Sequence, residues 1–235
     1  LALLTVSVRG EDISARLEIP LSADWQCEPG VADSQPSQWT HAVPVPGLLD
    51  LCKPPIQWDD HDYFWYRTTF RVPSGQEGKR ALIRIEQSQF GSEVWLNGKR
   101  LGSYNGCYTS HEYDATDAID WAGENTLLVR VGKKNTLPAG NALGADSEKM
   151  SFIPGIWGDV VLILTGDPRI QVVRVTPHVN EKIAEAAIRM ETKSGASQHV
   201  TVSAVGVEKK TGIRASQEVT EETTIDPGET KEVVL

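Results

Sequence analysis

Cysteine is scarce. Three occur in 235 residues, Cys27, Cys52 and Cys107, and no two are spaced C-x-x-C. That excludes the common zinc-binding and thioredoxin-type motifs. An odd count leaves at least one thiol unpaired within the chain. The three are expected to be small buried hydrophobes, with at most one disulfide. Long apolar runs are also missing: nothing approaches the roughly 20 residues of a membrane helix, so no membrane partner is expected. Positive charge is outnumbered, 23 Lys and Arg against 32 Asp and Glu, for a formal charge of −9. Such a chain is a poor partner for phosphate backbones, so no nucleic acid is expected either. There is no P-loop, H-E-x-x-H, EF-hand loop or G-x-S-x-G elbow, and the five histidines are scattered. No cofactor and no metal is implied. Helical periodicity is absent too: no segment holds i, i+3, i+4, i+7 apolar spacing over three turns.

What is present is strand. Over Tyr63–Val72, Phe64, Tyr66, Phe70 and Val72 fall on one face and Trp65, Arg67 and Arg71 on the other. The first set is the expected core face. Arg80–Gln87 turns Ala81, Ile83 and Ile85 inward, and Asn125–Val131 does the same with Leu127, Val129 and Val131. Asn97-Gly98 between short apolar runs predicts a hairpin. Val160–Leu164 is continuously apolar and reads as a strand buried on both faces. Leu48–Cys52 and Thr116–Trp121 each have the makings of one helical turn. Leu1–Val8 reads either as a strand or as the remnant of a signal sequence. The fold class is therefore all-β.

Thr165-Gly166-Asp167-Pro168 is turn chemistry. Beyond it no Trp, Tyr, Phe or Cys occurs, and strands recur at about ten-residue spacing, as in a β-sandwich. Two domains are expected, 1–166 and 167–235. The second is short of the roughly 100 residues of an immunoglobulin-like domain, so it reads as truncated. Both chain ends read as points in a longer polypeptide.

Two segments carry candidate chemistry. In Trp58–Arg67, the residues Asp60, His61, Asp62 and Trp65 combine carboxylates that accept hydrogen bonds with a flat ring face, the pairing a sugar requires. The competing reading makes Trp65 a packing residue and the aspartates a solvated loop. Calcium bound by Asp59, Asp60 and Asp62 has no glycine-bearing ligand loop to support it. In Phe152–Val160, Asp159 either caps a turn or projects from a strand end into a neighbouring site. The long irregular stretch Gly132–Pro154, with Asn135 and Asn141, marks a functional or mobile connection.

These residues carry a resemblance. Val45-Pro46-Gly47, Tyr63–Phe70, Val94-Trp95-Leu96-Asn97-Gly98, Gly106-Cys107-Tyr108 with Asp114 and Thr116, Gly123–Leu127 and Gly155–Val160 are similar, in this order, to the N-terminal sugar-binding domain of family 2 glycoside hydrolases. That family includes β-galactosidases, β-glucuronidases and β-mannosidases. The resemblance implies a jelly-roll, galactose-binding-like β-sandwich followed by a partial immunoglobulin-like β-sandwich. It implies a (β/α)₈ barrel elsewhere that carries the catalytic glutamates. Retaining hydrolysis needs two carboxyl groups about 5–5.5 Å apart, and none transfers onto this chain, so the isolated chain is expected to be inactive. The full-length parent is expected to hydrolyse O-glycosyl bonds, as a periplasmic or secreted bacterial enzyme. Asp159 occupies the position from which the family's aspartate reaches sugar hydroxyls, which favours a β-galactoside bound in a composite site. Exposed Trp65, Phe152 and Trp157 would then mark where the barrel docks. The alternative is a free-standing carbohydrate-binding module.

Overall fold

A computed structural model describes residues 2–9, 16–141 and 151–235. The chain divides into two compact units. One runs from Leu17 to Leu164, and the other combines the strand Ala2–Arg9 with the chain from Thr165 onward.

The first unit is a sandwich of two antiparallel sheets. The larger has six strands, in the order His41–Ala42, Gln26–Gly30, Tyr63–Arg71, Glu124–Gly132, Ser92–Leu96, Lys99–Tyr104. The smaller has four, in the order His111–Asp114, Arg80–Ile85, Val160–Thr165, Leu17–Pro20. Alternation decides what faces inward. Phe64, Tyr66, Val94, Leu96, Leu127, Val129 and Val131 of the larger sheet meet Ala81, Ile83, Ile85, Tyr113, Leu162 and Leu164 of the smaller in one core. The unbroken apolar run at Val160 has a second reason. Val161 and Ile163 point away from that core and cluster with Leu82 on the opposite face. Both faces of the strand are therefore apolar.

The hairpin at Asn97-Gly98 forms as the dipeptide predicts, with both residues at positive φ, 50° and 81°. Asn97 also ties neighbouring segments together. Its Nδ2 donates to the Asn125 Oδ1 at 2.8 Å and to the Ala118 carbonyl at 2.9 Å, and its Oδ1 accepts from Thr126 N–H at 2.9 Å. The expected turn at Leu48–Cys52 is a 3₁₀ turn over Leu49–Leu51. All three cysteines are free and buried.

The outer face of the six-stranded sheet is ordered by register. One row across it reads Glu28, Trp65, Arg130, Glu93, Ser103, and the next reads Gln26, Arg67, Leu128, Trp95, Arg100. A strap over residues 30–40 crosses part of this face. Trp65 Nε1 donates to the Val31 carbonyl at 2.9 Å, Arg130 donates to the Ala32 carbonyl, and Arg67 stacks on Trp39.

The second unit packs the sheet Arg169–His178, Ile183–Glu191, Thr230–Val234 and the sheet Ala2–Arg9, Gln198–Glu208, Val219–Ile225. Its core holds Ala186, Ile188, Met190, Val200, Val202, Ala204, Ile225 and Val233, with Val8 and Ile170 against it. Here the structure differs from the expected division at 166/167. The first strand does not head the first sandwich but pairs with Gln198–Glu208, from Ala2 opposite Glu208 to Arg9 opposite Thr201. Alternation specifies a strand's faces, whereas its neighbour in the sheet is a non-local choice.

Candidate functional site

Tyr63 and Gly132 are paired at one end of the six-stranded sheet, and the loops beyond them build a wide cleft. It measures about 760 Å³ and is lined by Trp58, Asp59, Lys133, Lys134, Asn135, Leu137, Asn141, Ser151 and Phe152, among others. Trp58–Asp60 is a 3₁₀ turn, and so is Lys134–Thr136. The two loops are tied by their backbones: Lys133 N–H donates to the Asp62 carbonyl at 2.9 Å, and Lys133 Nζ to the Asp59 carbonyl at 2.7 Å. Asn135 Nδ2 reaches the Asp62 carboxylate at 3.3 Å.

A single short segment fixes both edges of the cleft. Gln89 exchanges two backbone hydrogen bonds with Gly155, and Phe90 exchanges two with Gly132. Gly155 is required here: a Cβ would lie 2.6 Å from the Gly47 carbonyl oxygen and 2.7 Å from Leu48 Cα. Phe90 then packs against Phe152, with ring centroids 6.3 Å apart, and the Lys134 ammonium sits 4.0 Å over the Phe152 ring. The cleft thus offers two aromatic faces, two ammonium groups, one carboxylate, two side-chain amides and a hydroxyl. That mixture suits a polyhydroxylated ligand. Among the described residues no group of three or more His, Cys, Asp or Glu side chains could hold a metal ion.

The residues singled out from sequence fall in three places. Asp60, His61 and Asp62 are exposed on the loop that borders the cleft. Of these, Asp62 touches a lining residue, and the His61 ring lies edge-on to Phe64. Trp65 is on the outer sheet face, 4% exposed, and lines a different cavity with Trp95. Asp159 is exposed and is not among the residues of either cavity; its carbonyl accepts from Glu86 N–H at 2.9 Å. The expected exposed aromatic patch is not present in the form anticipated. Trp65 is capped by the strap, Trp157 is half-buried against Tyr108, and Phe152 is half-buried in the cleft. No local motif marks Lys133, Lys134 or Phe152 as lining this cleft. The signal for them is the length of the irregular stretch that starts at Gly132.

A family model described as "Glycosyl hydrolase 2 galactose-binding domain-like" matches residues 47–176, more than half of the chain. The chain belongs to glycoside hydrolase family 2. Among relatives of this family member, a beta-galactosidase of Thermoanaerobacter pseudethanolicus is 31% identical over 129 residues, covering 53% of this chain and 17% of the relative. The beta-galactosidase BoGH2A of Bacteroides ovatus is 32% identical over 143 residues, covering 59% and 16%. A beta-glucuronidase of Paenibacillus borealis is 31% identical over 119 residues, covering 49% and 20%. The matched relatives are therefore several times longer than the part this chain spans. Among solved structures, a Bacteroides uniformis beta-glucuronidase superposes with a TM-score of 0.74 at 20% identity, over 94% of this chain and 27% of its own. A beta-galacturonidase from Eisenbergiella tayi, solved bound to galacturonate, gives 0.68 at 18% identity, over 96% and 37%. The fold likeness thus extends over both units, beyond the residues that the family model matches.

Proposed function

We propose that this chain is the non-catalytic N-terminal part of an exo-acting β-glycosidase and supplies one wall of its active site. The catalytic carboxylates would reside in a (β/α)₈ barrel carried by the rest of the protein. The observation that carries this reading is the cleft itself. In a family 2 domain, the loops at one end of the sandwich gather Trp58 and Phe152 with Asn135, Asn141 and Ser151. Rings cover the C–H faces of a pyranose and amides bind its hydroxyls. The position of Asp159 and the relatives named beta-galactosidase favour a β-galactoside. Lys133 and Lys134 favour a second reading, a β-glucuronide, because an ammonium group at the cleft wall would pair with a uronate carboxylate.

The test is a hydrolysis screen with chromogenic β-galactoside, β-glucuronide and β-mannoside. It compares the 235-residue chain, the full-length protein and full-length Asn135→Ala and Phe152→Ala variants. Turnover is expected only in the full-length forms, with kcat/KM falling at least ten-fold in each variant. A Lys134→Ala loss confined to the glucuronide would select the acidic sugar. Hydrolysis by the chain alone, or full activity in both variants, would overturn the reading.

A further inference from the structure

The cleft is not isolated. A second cavity of about 160 Å³ adjoins it, sharing Leu137 as a wall, and its other lining residues include Tyr63, Glu93, Arg130 and Gly132. A third, of about 390 Å³, shares Glu93 and Arg130 with the second and opens onto Trp65, Trp95, Leu128 and the strap residues Asp33 and Gln35. The second and third cavities follow one another along the strand Glu124–Gly132, the second lined by Gly132 and Arg130 and the third by Arg130 and Leu128, about 13 Å from Gly132 to Leu128 at strand rise. The cleft begins just past that strand, at Lys133.

The far cavity has the composition of a sugar platform. Trp65 and Trp95 lie with centroids 4.9 Å apart and a tilt of 33°. The Arg130 guanidinium sits 5.8 Å and 5.9 Å from these rings and 4.7 Å over Tyr63, which fixes the aromatic group in place. Trp65 is sealed beneath the strap, so Trp95, half-buried, is the ring with area left for a ligand. Polar groups stand around it. Asp33 and Gln35 are exposed on the strap, and Glu93 offers a carboxylate already oriented by Arg130 and Arg100. A Cβ-less residue, Gly98 at positive φ, leaves the hairpin side of the cavity low.

We propose that this line of cavities is one extended groove and that Trp95 floors a distal sugar subsite. The substrate class is then an oligosaccharide, whose remote units lie over Glu93, Arg130 and Trp95. The inference rests on the proposed function for its near end, the cleft at Trp58 and Phe152. The cleft's sugar holds one terminus, and the groove selects for chain length.

The experiment is a titration of the full-length protein, segmentally ¹⁵N-labelled over these 235 residues, followed by the indole N–H resonances, with Trp58 and Trp95 assigned by substitution. The probes are methyl 1-thio-β-galactoside and S-linked β-galacto-oligosaccharides of two to four units, which resist hydrolysis. A second series carries a terminal S-linked β-glucuronide. The expected result is that the monosaccharide shifts Trp58 alone. The tetrasaccharide should shift both indoles and bind at least ten-fold more tightly, and Trp95→Ala should abolish that gain while leaving monosaccharide affinity unchanged. A tetrasaccharide that binds no more tightly and leaves Trp95 unmoved would overturn the distal subsite while the Trp58 shift still upheld the cleft. A response at Trp95 without one at Trp58 would overturn the continuous groove. Silence of both indoles with every probe would reject sugar contact by the cleft, and the groove with it.

Discussion

Arg130 and Glu93 face each other across neighbouring strands, and the Arg130 Nη2 donates to a Glu93 carboxylate oxygen with both side chains largely covered, 17% and 16% exposed. Without Glu93, Arg130 keeps the Ala32 carbonyl and the aromatic rings but loses its charged partner. Glu93→Ala is expected to cost about 1–3 kcal/mol. Replacing both, as Glu93→Ala with Arg130→Met, is expected to cost less than the sum of the two single changes. A double-mutant cycle by urea denaturation measures this, and a coupling below roughly 0.5 kcal/mol would mean the pair is held by the strap and the aromatic rings instead.

Asn125 has no exposed surface and uses both ends of its amide. Its Oδ1 accepts from Asp120 N–H at 2.7 Å and from Asn97 at 2.8 Å, while its Nδ2 donates to the Asp120 carbonyl at 2.8 Å. Asn125→Ala leaves these groups unsatisfied and is expected to lower stability by about 2–3 kcal/mol. Asn125→Asp keeps the acceptor but loses the donor, and its melting temperature should fall between those of the parent and the alanine variant.

Two glycines separate space from flexibility. Gly155→Ala drives a methyl into the backbone of Gly47 and Leu48, neither of which has a flexible tip to move aside. A loss above roughly 2 kcal/mol is expected, as for other forced overpacking. Gly195 has nothing within 4 Å of where an alanine methyl would stand and lies outside the positive-φ region. Gly195→Ala should leave Tm unchanged or raise it slightly by restricting the unfolded chain.

Glu28 provides a pH prediction. Burial pushes its carboxyl upward, but hydrogen bonds from Thr40 N–H, Thr40 Oγ1 and His41 outweigh burial and hold it below the usual carboxylate range. A folded-state value below the unfolded one, about 4.3, means the group stabilises the fold at any pH above that. The contribution is lost as pH falls through the lower folded value. Glu28→Gln should therefore lower Tm at neutral pH, and the gap should close progressively below about pH 4. A gap that persists unchanged into the acid range would show that the carboxylate charge contributes nothing.

The sequence made strand faces legible wherever one face is apolar. Phe64, Tyr66, Leu127, Val129 and Val131 are all buried as alternation predicts. The Asn97-Gly98 turn was legible because two successive positive φ values demand those residue types. Trp65 was not, because period two places it outward and cannot report a strap that folds back from Val31 to cover it. The partner of Ala2–Arg9 was not legible either, being some 200 residues away in the chain. For the candidate site, the loop from Asp60 to Asp62 was singled out by its residue types. Its meeting with Lys133 and Asn135 depends on the pairing of Tyr63 with Gly132, which no local pattern encodes.

Gln89 and Phe90 grip the chain both where it leaves the sheet at Gly132 and where it returns at Gly155. With both ends of that loop held by one dipeptide, its length enters stability chiefly through closure entropy, and each doubling is expected to cost only about 0.6 kcal/mol.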